Sequence, residues 1–237
     1  MSVFAVFTDL FAHLVEQLAD LLQPLFGATA VAAAIILFTA LVRLLVHPLS
    51  RAAARGQQAQ ARLRPRVAEL RKRYAKQPEK LQKAVLELHA KEKVSPLAGC
   101  LPSLLQLPAF FLLYRLFSTD GDALLSHRLF AAPLGGRWAD ALAGGGVFGA
   151  AGLVYVGLFL VAAAIAAFTC VRNRRMAAAG VTDGIADDNP LGGAVGKVMP
   201  YLSFFTLFTV AVVPLAAALY VVTSTAWSAV ERAVLYR

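Results

Sequence analysis

Few residues in this 237-residue chain have side chains able to do chemistry, and Arg43 is first among them. It lies inside an apolar run, residues 28–49, that is long enough to cross a bilayer core, which needs about 20 helical residues. A guanidinium stays protonated at any usable pH. Placing one near a bilayer centre costs roughly 2.5–3.5 kcal/mol even on the lenient insertion scale. Such a side chain either snorkels to an interface or faces a wet cavity. Other polar residues in apolar runs include Thr39, Ser103, Gln106, Ser203, Thr206, Thr223 and Ser224. Hydroxyls in membrane helices mostly bond their own backbone or a neighbouring helix, and the rest can line water. Any of these could line a cavity beside Arg43.

Catalytic and metal chemistry find no footing. There is no Walker A motif, no GxGxxG between strand and helix, and no HExxH. His13, His47, His89 and His127 are scattered, and Cys100 and Cys170 are too few for a disulfide framework. The expectation is a protein that is not an enzyme and holds no metal or cofactor.

The elements that must position these residues follow from composition. The chain is 59% hydrophobic and 16% charged, the signature of a polytopic membrane protein. Its formal net charge is nonetheless +9. Residues 1–27 carry apolar side chains at helical spacing (Phe7, Leu10, Phe11, Leu14, Leu18, Leu21), with Asp9, His13, Glu16 and Asp20 opposite. This predicts an amphipathic helix, either lying in the outer interface or packed on the rest of the protein. Residues 28–50 form span 1. Residues 51–95 carry thirteen Lys and Arg against four Glu, which places them in the cytoplasm by the positive-inside rule. Within them Leu63, Val67, Leu70 and Tyr74, and then Leu81, Val85 and Leu88, repeat at steps of 4 and 3. Two helices broken at Gln77–Pro78 and paired as an antiparallel hairpin are expected.

Residues 96–117, with Pro96, Pro102 and Pro108, read as span 2. Residues 118–146 read as an outer loop, 147–171 as span 3 and 172–197 as a cytoplasmic loop. Residues 198–230 would be about 50 Å long as one helix, too long for a hydrocarbon core of roughly 30 Å. We therefore divide them at Pro214 into two short spans, 198–213 and 214–230, followed by a cytoplasmic tail, 231–237. The fold class is all-α: five transmembrane helices, N-terminus outside and C-terminus inside.

Several segments together carry a family resemblance. SPLAGCLPSLLQLPAFFLLY resembles the tract NPLAGCLPxLLQxPIFFALY of the YidC/Oxa1/Alb3 family of membrane protein insertases, with Ser95 in place of Asn. TALVRLLVHPLS around Arg43 resembles that family's first core span. VMPYLSFFTLF and VVPLAAALYVVTSTAW resemble its last two, with Val221 where an aromatic is common. Without the large outer domain of many Gram-negative members, the chain is similar to the shorter Gram-positive type, and the long basic tail that some members use to hold ribosomes is not expected here. The resemblance implies a groove open to cytoplasm and lipid but closed outside, with Arg43 facing it, and Gln106, Ser103, Ser203, Thr206 and Thr223 are the candidates for the rest of its lining. It also implies a cytoplasmic hairpin that receives nascent membrane proteins from the ribosome, alone or beside the Sec translocon, in a bacterial plasma membrane. On the hairpin the capture candidates are Arg71, Lys72, Arg73, Lys76, Lys80 and Lys83. The basic stretch also suits anionic lipids, and no specific nucleic-acid site is expected. The competing classes are a small channel or ion-coupled transporter, and a scaffold in which Arg43 merely snorkels. Against a coupled transporter, Asp and Glu all fall in predicted loops or termini.

Overall fold

The computed structural model describes residues 3–92, 94, 127–178 and 199–235. Span 2 as expected over residues 96–117, and with it Ser103 and Gln106, lies outside the described residues. So do most of the expected outer loop before residue 127 and the stretch 179–198.

Helix α1 (Val3–Phe26) packs along α2 (Ala30–Arg73). It buries Val15 and Ala19, one turn apart on one stripe, while Leu21 and Leu25 stay exposed on another. Of the two expectations for this segment, packing against the protein accounts for the first stripe, and an apolar solvent suits the second. The corner between the helices turns at Gly27, whose φ is 52°. No atom lies within 4 Å of where a Cβ would stand, so backbone conformation rather than crowding favours glycine there. The Thr29 hydroxyl donates to the Phe26 carbonyl at 2.8 Å, satisfying one exposed acceptor of that corner.

Helix α2 is 44 residues, about 66 Å long, twice a bilayer core. It runs without a break through Pro48 and Pro65. The predicted boundary at residue 50 therefore falls inside one continuous helix, with apolar residues in its first half and basic residues in its second. After a turn at residues 74–77 the chain enters α3 (Pro78–Lys91). Proline suits the first helical position because its missing N–H is needed by no acceptor there. Glu79 in the first turn and His89 and Lys91 in the last turn complement the helix dipole. The chain folds back far enough for the Arg66 guanidinium to pair with the Glu92 carboxylate. Val67, Leu70, Tyr74, Leu81, Val85 and Leu88 are all half-buried and Leu63 is buried.

A two-stranded antiparallel ladder, β1 (Arg128–Leu129) with β2 (Ala132–Pro133), leads into α4 (Trp138–Gly145) and the long α5 (Ala150–Ala178). The strands are two residues each and leave the all-α class intact. The Arg137 amide donates to the Asp140 carboxylate at 2.9 Å at the start of α4. At Gly152 a Cβ would stand 2.3 Å from the Gly146 carbonyl oxygen, so the entry into α5 requires glycine.

A 3-10 turn (Met199–Phe204) precedes α6 (Phe205–Val212), and α7 (Leu215–Leu235) follows after Val213 and Pro214. Proline breaks the helix here by removing a donor and crowding the preceding turn. Two of the amides left free at the start of α7 find partners in the loop. Leu215 donates to the Gly136 carbonyl and Ala216 to the Leu134 carbonyl, both at 2.9 Å. These bonds fix α7 beneath the β turn. Around them Val31, Ala32, Leu134, Tyr155, Leu215 and Leu219 form the main core. Trp138 stacks edge-on against Phe159, with ring centroids 5.2 Å apart. A second, smaller core of Ala162, Val210, Ala218 and Val222 joins α5, α6 and α7. Both cores are rich in alanine, which lets helix backbones approach closely.

Among the described residues two segments are long and apolar enough to cross a membrane: His13–Leu63 and Ala150–Arg175. Tyr201–Val212 is a shorter apolar helix.

Candidate functional site

Beyond the two cores lies a partly open cavity of about 320 Å³, lined by polar and apolar side chains together. Liquid water occupies about 30 Å³ per molecule, so this is room for about ten waters. Helix α2 contributes Arg43, and α5 contributes an apolar wall of Ala162, Ile165 and Ala166 with Thr169 at its end. Ser203 and Thr206 enter from the turn before α6 and from α6 itself. Helix α7 contributes Ser224, Thr225 and Ser228, with Ala229 and Arg232 beyond them.

Arg43 is half-buried, and its Nη2 donates to the Ser224 hydroxyl, itself buried. A guanidinium has five N–H donors, and Ser224 takes one of them. Among the described residues Arg43 meets no carboxylate within ion-pair distance. It is a cation held by a neutral acceptor at the cavity wall, and no described carboxylate neutralises it.

The hydroxyls around it divide into two kinds. Thr169 donates to Ile165 O at 2.8 Å, Thr225 to Val221 O at 2.8 Å, and Ser228 to Ser224 O at 2.9 Å. These three satisfy their own helix and turn oxygen lone pairs to the cavity. Ser224 accepts from Arg43 and keeps its own hydrogen to donate. Thr39 donates to Ile35 O at 2.7 Å, and its buried side chain is outside the lining.

One turn past Arg43 on α2, His47 Nδ1 lies 2.6 Å from Glu231 Oε1 on α7. The Glu231 side chain is only 10% exposed. Arg43–Ser224 and His47–Glu231 thus tie α2 and α7, which run in the same direction, at two successive levels. On the other flank the Arg172 guanidinium of α5 donates to the Arg232 carbonyl in the last turn of α7, an acceptor the helix leaves unpaired. Among the described residues no three His, Cys, Asp or Glu side chains come together as metal ligands would.

This arrangement, an arginine in a hydroxyl-lined space among apolar helices, lies within a stretch that a known family also covers: the 60Kd inner membrane protein family matches residues 21–237. The chain belongs to that family. Curated relatives carry the name membrane protein insertase YidC. The protein of that name from Clostridium perfringens is 36% identical over 120 residues, which cover 49% of this chain and 50% of the relative. The one from Xanthomonas campestris is 46% identical over 81 residues, 34% of this chain and 14% of the relative. The one from Shewanella woodyi is 45% identical over 82 residues, 35% and 15% respectively. The matched stretch spans half the length of the first relative and much less of the other two.

For a member of the 60Kd inner membrane protein family, three of the candidate groove residues come together. Arg43, Ser203 and Thr206 all line the cavity. Thr223 is half-buried on α7 but is not part of the lining. Its successor Ser224 holds Arg43 instead, because each residue turns a helix by about 100°. Ser103 and Gln106 fall outside the described residues. The capture candidates Arg71, Lys72, Arg73, Lys76, Lys80 and Lys83 are all exposed, around the turn that joins α2 to α3. Arg73 stacks over the Tyr74 ring at 5.8 Å.

Sequence reasoning left Ser224, Ser228 and Arg232 out of the groove, although steps of four residues put all three on one face of a helix. It also left Glu231 to a tail. Helix α7 carries Glu231 and sets it against His47, 184 positions away in the chain, which no local pattern signals.

Proposed function

We propose that this chain is a membrane protein insertase and chaperone of the bacterial plasma membrane. Its substrates are nascent membrane proteins delivered by the ribosome, with or without the Sec translocon. The observation that carries the reading is Arg43 in a hydroxyl-lined cavity with no carboxylate partner among the described residues. A scaffold would gain nothing from such a charge, and a coupled cation site would need acidic ligands in it.

The physical task is to take a short polar tail across about 30 Å of hydrocarbon. Arg43 lies thirteen residues, about 20 Å, below the start of α2 and eight residues, about 12 Å, above Arg51. A wet cavity at that depth removes about the inner 12 Å of the dry distance. The guanidinium attracts an acidic or polar tail and lets it go, because Ser224 holds it in place without neutralising it. The substrate's apolar helix then partitions into lipid at about 0.8 kcal/mol per buried CH₂, so no nucleotide is required. The five-span topology has the N-terminus outside, α1 at the outer interface, and α3 with the second half of α2 as a cytoplasmic receiving hairpin. Short spans at 198–213 and 214–230 thin the bilayer locally and reduce the barrier again.

Proteoliposomes containing the purified chain test the reading. Insertion of a single-span substrate with no ion current supports it, whereas a steady current in the absence of substrate marks a channel. Absence of both leaves only the scaffold.

A further inference from the structure

The donor and acceptor groups of the cavity have a charge signature of their own. Arg43 and Arg232 both line it, and no carboxylate does among the described residues. The nearest acid along α7, Glu231, is engaged by His47. Ser203 and Thr206 make no hydrogen bond to a described residue, so with Ser224 they offer three hydroxyls whose hydrogens no described residue takes up. Together with the two guanidinium groups, these donors approach from α2, from the 3-10 turn with α6, and from α7. Two arginines with no lining carboxylate select for an anion, and arginine is the side chain best matched to the two charged oxygens of a phosphodiester.

We propose that the cavity holds the headgroup phosphate of an anionic phospholipid when no substrate is present. This rests on the reading of the cavity as a membrane-embedded groove and names its resting occupant. The elements beside the cavity are suited to acyl chains rather than to a free ion. Leu202 and Phe205 flank Ser203 and Thr206 and are 58% and 63% exposed, and Phe168 stands next to Thr169 at 50%. A headgroup in the polar space would leave its chains against these surfaces. A substrate tail would then enter by exchange for the lipid, so that the arginines are never left without an anion.

The test uses the full chain in a neutral detergent, titrated with short-chain phosphatidylglycerol, phosphatidylcholine of the same chain length, and inorganic phosphate, read by native mass spectrometry. Phosphatidylglycerol should bind at one site, with phosphatidylcholine and inorganic phosphate each weaker by about tenfold or more. Arg43→Gln and Arg232→Gln should each weaken phosphatidylglycerol by about tenfold, the worth of one charge-assisted bond. Ser203→Ala with Thr206→Ala should weaken it by a smaller factor. Arg128→Gln, at the opposite end of the molecule, should change nothing. Thermal unfolding of each variant shows whether it is folded, and the serine and threonine pair serves if an arginine variant is not. Equal losses from Arg128→Gln and Arg232→Gln would mean a general attraction of charge and overturn the proposal. So would equal affinity for the two lipids. Inorganic phosphate binding as tightly as phosphatidylglycerol would overturn the lipid as occupant. Substrate insertion is measured on the same variants. If insertion fails in Arg43→Gln while lipid affinity is unchanged, the resting lipid falls and the insertase reading stands. If the parent chain inserts nothing while Arg43→Gln still loses lipid, the insertase reading falls and the lipid site stands.

Discussion

Helices α2, α5 and α7 build two regions of opposite character within a few turns of one another. At one level they meet through Val31, Ala32, Tyr155, Leu215 and Leu219 and close completely. Further along, the same three helices present Arg43, Thr169, Ser224 and Ser228 and stay apart around about 320 Å³. Helix direction is common to both levels, so side-chain type alone makes the difference. Small apolar residues let backbones approach and exclude water. A guanidinium and a set of hydroxyls resist such a contact, because each would lose hydrogen bonds in a dry one.

The sharpest way to break this contrast is to put a charge into the closed region. Leu215→Asp buries a carboxylate among Leu134, Tyr155 and Ala216, and should cost more than about 3 kcal/mol. Loss of the folded chain on size exclusion in detergent is the expected result. A stable, monodisperse variant would show the closed end to be wet.

Next in size is the reverse change, removing the charge from the open region. Arg43→Ala should fold at least as well as the parent, since a costly group has gone. Insertion of substrates with acidic tails should fall by about tenfold or more, with short neutral tails least affected. Lysine should rescue in part, keeping the charge but losing the planar fork. Parent-rate insertion of acidic tails by Arg43→Ala in proteoliposomes would take the charge out of the mechanism.

A smaller effect is expected from the half-buried seam of α2 and α3. Changing Leu70 and Leu88 to Asp should open this region to protease while the membrane helices stay inserted. Lys72→Ser with Lys83→Ser, on exposed positions, should do much less. Unchanged protease resistance in the double Asp chain would count against the paired seam.

The smallest effect concerns the second tie between α2 and α7. Single and double changes of His47 and Glu231 to Gln form a cycle whose coupling should be on the order of 1 kcal/mol. Additive losses in thermal stability would mean that the 2.6 Å contact contributes nothing of its own.

Much of this was legible from residue order. Arg43 stands out because a permanent charge in an apolar run has so few places to go. The turn at Gln77–Pro78 and the break at Pro214 are legible because proline acts locally, through its own ring and missing donor. Pro48 and Pro65 show the limit of that rule, since α2 passes through both. A proline disturbs only the turn before it, and a helix held by neighbours on either side can absorb one lost bond.

The chain by itself determined which runs are helical and apolar, where the basic charge is concentrated and which arginine is out of place. Those properties depend on residue type and on neighbours within a turn or two. Which face of each helix meets the cavity was decided only by tertiary packing. Thr223, Ser224 and Thr225 are equivalent as a string of hydroxyls, and about 100° of rotation separates each from the next. Burial of Ala216, Leu219 and Val222 against the neighbouring helices sets that rotation, and so assigns Ser224 to Arg43. The same rotation carries Glu231 to His47, joining two residues whose distance along the chain hides their pairing.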